Sequence, residues 1–171
     1  LITLALNAQN NKTSGLNARQ FHKYWKVESE SPDYKVTFLG DTVEILSPKG
    51  LTLWRKEKMS GKVTIEYDAC VVVEVEGDRL SDLNCFWMAS DPQYPDNIWK
   101  REKWRSGIFL NCYSLQLYYM GYGGNHNSTT RFRRYDGNEA AITNAKARPA
   151  ILKEYTDADH LLEANKWYHI K

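Results

Sequence analysis

Val63, Ile65, Tyr67, Ala69, Val71, Val73 and Val75 alternate with Thr64, Glu66, Asp68, Cys70, Val72, Glu74 and Glu76. Strand side chains point to opposite faces in turn, so a period of two sets one apolar row against a core and one polar row toward solvent. A helix, with 3.6 residues per turn, cannot collect such a run on one face. The run predicts a long half-buried strand, with the apolar row buried and Glu66 and Asp68 exposed or lining a groove. The same pattern marks Val43 and Ile45, residues 51–54 after the Ser47-Pro-Lys-Gly50 turn, and residues 83–89, 129–135 and 151–155. Residues 107–121 read as two strands with a bend near Tyr113 and Ser114. Short strands separated by turn signals predict an all-β fold, a two-sheet antiparallel jelly-roll sandwich.

Helix is scarce. Residues 157–164 suit two turns capped by Asp157. Residues 96–105 read as a loop with a helical turn at most, opened by Asp91-Pro-Gln-Tyr-Pro95. A length of 171 residues suits one domain with its own core, and no repeat, low-complexity tract or linker divides it. The apolar start, Leu1 to Ala8, turns polar at Gln9, which is the pattern of a secretory h-region remnant within residues 1–20. The single sandwich domain is then expected over 21–171. Residues 166–171 read as a strand that has just begun, which predicts further strands beyond Lys171.

Charge narrows the partners. Lys and Arg number 23 against 21 Asp and Glu, a net charge of +2 that gives no support for nucleic acid or a membrane surface. No apolar run approaches the ~20 residues of a membrane span. Cys70, Cys85 and Cys112 lack C-x-x-C spacing, fall within expected strands, and read as buried free thiols. His22, His126, His160 and His169 show no metal-ligand spacing, so no metal is expected.

The chemistry concentrates between Tyr118 and Tyr135. This stretch holds four tyrosines, three arginines, His126 and a Gly-Gly turn in one expected hairpin. Tyrosine offers a flat apolar face with a hydroxyl at its tip, and arginine a planar fork that matches a carboxylate. Both suit an acidic sugar. Lyase β-elimination of a uronate needs a group on the carboxylate, a base at C5 and a proton for the leaving oxygen. Tyr122 and His126 are the expected catalytic pair. Arg131, Arg133, Gln116, Tyr118, Asn84 and Tyr135 are the expected substrate-binding set, with Arg131 or Arg133 converging on Tyr122 and His126. A plain sugar-binding site uses the same residue types, and a surface hairpin with solvated arginines has the same composition. Sequence does not separate them. Asn84 and Trp87 lie on opposite faces of their strand. Lys100, Arg101, Lys103 and Arg105, interleaved with Trp99 and Trp104, suit either a basic aromatic lid or a solvated loop. Glycoside hydrolysis needs two carboxylates across the scissile bond, and Glu66 with Asp68, or Glu74 with Glu76, has that spacing. A solvated polar face has it too.

Several strings carry a family resemblance as a set. They are residues 50–61 running into 63–69, residues 82–89, the Tyr-Gly-Gly-Asn-His-Asn-Ser-Thr-Thr-Arg-Phe-Arg-Arg-Tyr-Asp-Gly hairpin, and residues 154–157 and 160–170. From Trp25 to Lys171 the chain resembles YesU-like secreted bacterial proteins of unknown function, which are similar to the concanavalin A-like lectin/glucanase sandwich. The resemblance implies a jelly roll, a secreted or periplasmic place in a bacterium, and an acidic plant polysaccharide of the pectin or rhamnogalacturonan kind. A jelly roll of this type can hold a structural calcium, but no EF-hand-like acidic loop announces one, and no cofactor is expected. The resemblance supplies no catalytic residues, and a fold alone does not give a function. The expectation is a carbohydrate-active protein: a polysaccharide lyase, or a glycoside hydrolase, with a non-catalytic glycan-binding module as the alternative.

Overall fold

The structure, a computed structural model, describes residues 2–5 and 18–171, with backbone alone at 2–5 and 18. The expected leader therefore falls largely outside the described residues. The strands are Ile2–Ala5 (β1), Trp25–Ser29 (β2), Lys35–Leu39 (β3), Thr42–Leu46 (β4), Leu51–Arg55 (β5), Tyr67–Val71 (β6), Leu83–Ser90 (β7), Gln116–Gly123 (β8), Thr129–Asp136 (β9), Ile151–Tyr155 (β10) and Trp167–Ile170 (β11). Every ladder among them is antiparallel. The chain is all-β, built from several antiparallel sheets with few short helices, as the alternation predicts. No helix among the described residues is long and apolar enough to cross a membrane. The strands fall into two compact units.

The first unit comprises Leu1–Arg79 and Glu163–Lys171. It holds a five-stranded sheet in the order β11-β6-β1-β4-β3 and the two-stranded β2-β5. Val43 and Ile45 of β4 face Phe21 of the helix Ala18–Tyr24, and Trp25, Val27, Val36, Phe38, Leu51 and Leu53 pack around them. Here the alternation meets its expected outcome, since Val43 and Ile45 are both buried. The 63–75 run meets it only at its centre. Tyr67, Ala69 and Val71 are buried, but Val63 is 47% and Ile65 36% exposed. β6 stops at Val71 because the following backbone is taken by side chains. Asn165 accepts from the Val73 N–H at 2.9 Å and donates to the Val73 carbonyl at 3.0 Å. One oxygen of Asp78 accepts from the N–H groups of Glu74 and Val75 at 2.8 and 3.1 Å. Those two bonds hold the Asp78 carboxyl below its ordinary pKa.

The second unit, Leu80–Leu162, is built on one sheet in the order β10-β9-β8-β7. Leu117, Tyr119 and Tyr135 are buried on one face of it. A 3-10 helix over Phe109–Ser114 packs on that face, with Tyr113 4.9 Å from Tyr135 and Phe109 5.7 Å from Tyr119 between ring centroids. This helix replaces the first of the two strands expected over 107–121, and takes Cys112 out of a strand. Local bonds win there: Asn111 N–H donates to the Ile108 carbonyl at 3.0 Å, and the Ser114 hydroxyl to the Asn111 carbonyl at 2.7 Å. The two-turn helix expected from Asp157 is a 3-10 turn, Ala158–His160. The Asp157 carboxylate meets the His160 imidazole at 2.6 Å. All three cysteines are free, Cys70 and Cys112 buried and Cys85 half-buried.

The β8–β9 hairpin closes through a left-handed turn. Asn125, His126 and Asn127 have φ of 52°, 58° and 58°. Non-glycine residues pay for that region, Asn and His less than most. The turn is held by Asn127, whose amide donates to the Leu162 carbonyl and accepts from the Leu162 N–H, both at 2.8 Å. Gly123 precedes it at φ 66°, where a Cβ would lie 2.5 Å from Leu162 Cδ1.

Candidate functional site

The register decides which expected residues can meet. In the β8–β9 ladder Tyr118 pairs with Arg134, Tyr119 with Arg133, Met120 with Phe132 and Gly121 with Arg131. Paired residues point to the same face of a sheet. Gln116, Tyr118 and Tyr122 therefore share one face. Arg131, Arg133 and Tyr135 share the other, and Asn84 joins them through its pairing with Gly121. The expected convergence of Arg131 or Arg133 with Tyr122 does not occur.

On the Tyr118 face, Trp87, Tyr118 and Phe132 stand as near-parallel rings 5.8–5.9 Å apart. The Tyr122 hydroxyl donates to the Leu161 carbonyl at 3.3 Å. Gln116 is exposed and reaches the Asp136 carbonyl at 3.5 Å. His126 is exposed at the hairpin tip.

On the Arg131 face a polar cluster forms around Tyr119, which is not among the expected site residues. Tyr119 donates its hydroxyl to Asn84 Oδ1 at 3.1 Å. It reaches Asn84 by lying along the strand over Gly121, where a Cβ would come within 2.0 Å of that hydroxyl. The rows across the sheet are Asn84, Gly121, Arg131, Glu154 and, next to it, Phe86, Tyr119, Arg133. Arg131 donates through Nε to Glu154. Arg133 donates to the Pro149 carbonyl at 2.9 Å. Burial pushes the Tyr119 phenol well above its ordinary pKa; Asp82 and Tyr113 add to the rise, while Arg133 and Arg131 oppose it. Tyr119 is thus a neutral hydrogen-bond donor across the ordinary pH range. Tyr135 is 1% exposed, and its hydroxyl has no hydrogen-bond partner among the described residues.

The other expected groups are differently employed. Arg101 grips the buried Asp91 with two bonds of 2.8 Å and also meets Glu139, and Arg105 is wholly buried. Of the four basic residues between 100 and 105, Lys100 and Lys103 are the exposed ones. Glu66 and Asp68 are engaged by His169, at 3.4 and 2.8 Å, and Glu66 by Lys171 at 3.2 Å. Among the described residues no three His, Cys, Asp or Glu side chains stand together as metal ligands.

Residues 45–171 match the family described as Domain of unknown function (DUF6250), and the chain belongs to that family. The matched stretch contains the whole second unit and its polar cluster. No curated protein and no solved structure matches the chain.

Proposed function

We propose that this chain acts on an acidic plant polysaccharide, or its oligosaccharides, of the pectin or rhamnogalacturonan kind, as a lyase working at Asn84, Tyr119, Arg131 and Arg133. One observation carries the reading: the Tyr119 hydroxyl is fixed on Asn84, with a guanidinium in its own row and another in the next. Forks and an amide beside a phenol are the groups that uronate elimination requires. Arg131 and Arg133 take the sugar carboxylate, which makes the C5 proton easier to remove. A base takes that proton, the C4–O bond breaks, the C4=C5 double bond forms, and Tyr119 gives its proton to the leaving oxygen. His126, carried by the same hairpin, is the base we assign. The jelly-roll strand order, the kinship to YesU-like proteins and a secreted or periplasmic place belong to this proposal. They rest on the motifs between Gly50 and Ile170, and on the fact that plant polysaccharides are met outside the cell.

The test is incubation with polygalacturonate, rhamnogalacturonan and other acidic glycans, read by the ultraviolet absorbance of unsaturated uronates. Absorbance should rise with at least one, and Tyr119→Phe should abolish the rise while binding persists. A flat trace with every acidic glycan refutes the lyase. A second reading, a non-catalytic glycan-binding module, is favoured by the burial of Tyr119, whose hydroxyl proton is already given to Asn84. It predicts acidic-glycan binding with no change in absorbance.

A further inference from the structure

Glu154 faces the same cluster from β10, paired with Arg131 in the register. Its carboxylate takes the Arg131 Nε–H, and among the described residues that is the one hydrogen bond the guanidinium makes. Both side chains remain partly open, at 27% for Arg131 and 35% for Glu154. Arg131 is therefore held by its side edge, and the two-nitrogen end of its fork stays free for a ligand. Arg133 is held by an uncharged group, the Pro149 carbonyl, rather than by a carboxylate. Two positive charges and one directly paired negative leave a single positive charge to be matched.

We propose that Glu154 determines specificity, limiting the site to sugars with one negative charge, a uronate carboxylate, and turning away sugars that also carry a sulfate or phosphate ester. This rests on the acidic-glycan reading and narrows its substrate class. The carboxylate of a simple uronate fits the free end of the Arg131 fork and the Arg133 charge. A second anionic group on the same sugar meets Glu154, and like charges in a partly desolvated site repel. Arg131 thus serves the ligand while its neighbour sets how much charge the ligand can bring.

The test uses the full chain and two probes, oligogalacturonate and O-sulfated oligogalacturonate, with affinities read by titration calorimetry. Wild type should bind the unsulfated probe more tightly. Glu154→Gln keeps an oxygen to accept from Arg131 but removes the charge, and should shift the ratio about fivefold toward the sulfated probe, the scale of a partly exposed ion pair. Glu154→Asp keeps the charge and should keep the wild-type ratio, which separates charge from fit. If wild type binds oligogalacturonate and Glu154→Gln leaves the ratio unmoved, the inference is overturned while the acidic-glycan reading stands. If wild type binds neither probe, that reading has failed and the inference falls with it.

Discussion

Replacing Gly121 with alanine adds one methyl group to the middle of β8, at a point where Tyr119 leaves no room for it. The new Cβ would lie 2.0 Å from the Tyr119 hydroxyl oxygen, 2.5 Å from Cζ and 2.7 Å from Cε1. A hydroxyl on a free side chain would swing aside cheaply. This ring cannot, because Phe86, Phe109 and Tyr135 surround it with centroids at 5.5, 5.7 and 5.6 Å. Expelling it loses the hydrogen bond to Asn84, about 1 kcal/mol, and three ring pairs at about 0.5 kcal/mol each. Alanine in a strand recovers about 0.5–1 kcal/mol of backbone entropy relative to glycine. Gly121→Ala should therefore destabilise the protein by about 2 kcal/mol net. Urea unfolding measures it as a lower midpoint at unchanged slope. The cost should vanish when Tyr119 is already alanine, a coupling that a double-mutant cycle isolates. A neutral Gly121→Ala, or the same cost in the Tyr119→Ala background, refutes the argument that Gly121 exists to seat Tyr119.

Tyr135→Phe removes a buried hydroxyl with no partner among the described residues, and should leave stability unchanged or raise it by up to about 1 kcal/mol. Burial raises the folded-state pKa of Tyr119 and Tyr135, so their contribution is complete below the unfolded value of about 10 and is lost as pH climbs above it. The alkaline limb of a stability profile should therefore be shallower in Tyr135→Phe. Asn127→Ala deletes both bonds to Leu162 at a φ of 58°, and should lower stability by about 2–3 kcal/mol in the same unfolding assay. Arg101→Ala removes two bonds from the wholly buried Asp91 carboxylate and leaves it Arg105 at 4.0 Å and the Gln93 N–H at 3.0 Å, at a cost of about 3 kcal/mol; Arg101→Ala with Asp91→Asn should restore part of it.

Strands with a clear period were legible. The expected 83–89, 129–135 and 151–155 correspond to Leu83–Ser90, Thr129–Asp136 and Ile151–Tyr155. The 63–75 run is longer than the strand it forms because period does not reveal where the backbone finds its partners, and Asn165 and Asp78 take the N–H groups of Val73, Glu74 and Val75. Residues 109–114 carry β-compatible side chains, yet i to i+3 bonds turn them into a 3-10 helix. The candidate site failed on register. Arginines at 131 and 133 were legible as one face of β9, but which β8 face they join depends on the hairpin turn. A slip of one residue would have placed them with Tyr122. The left-handed turn at Asn125 to Asn127 pairs them with Gly121 and Tyr119 instead. Glycine at 121 was the available signal, since a glycine inside a strand marks a close approach.

The central claim is that Arg131 and Arg133 form a carboxylate site on one sheet face. It is tested most directly by titrating wild type, Arg131→Ala and Arg133→Ala with oligogalacturonate and with its carboxyl-reduced, neutral counterpart. Wild type should prefer the acidic probe, and each substitution should weaken its binding by about 1.5–3 kcal/mol while neutral binding is unchanged. Equal wild-type affinity for the two probes, or equal loss for both on removing either arginine, contradicts it.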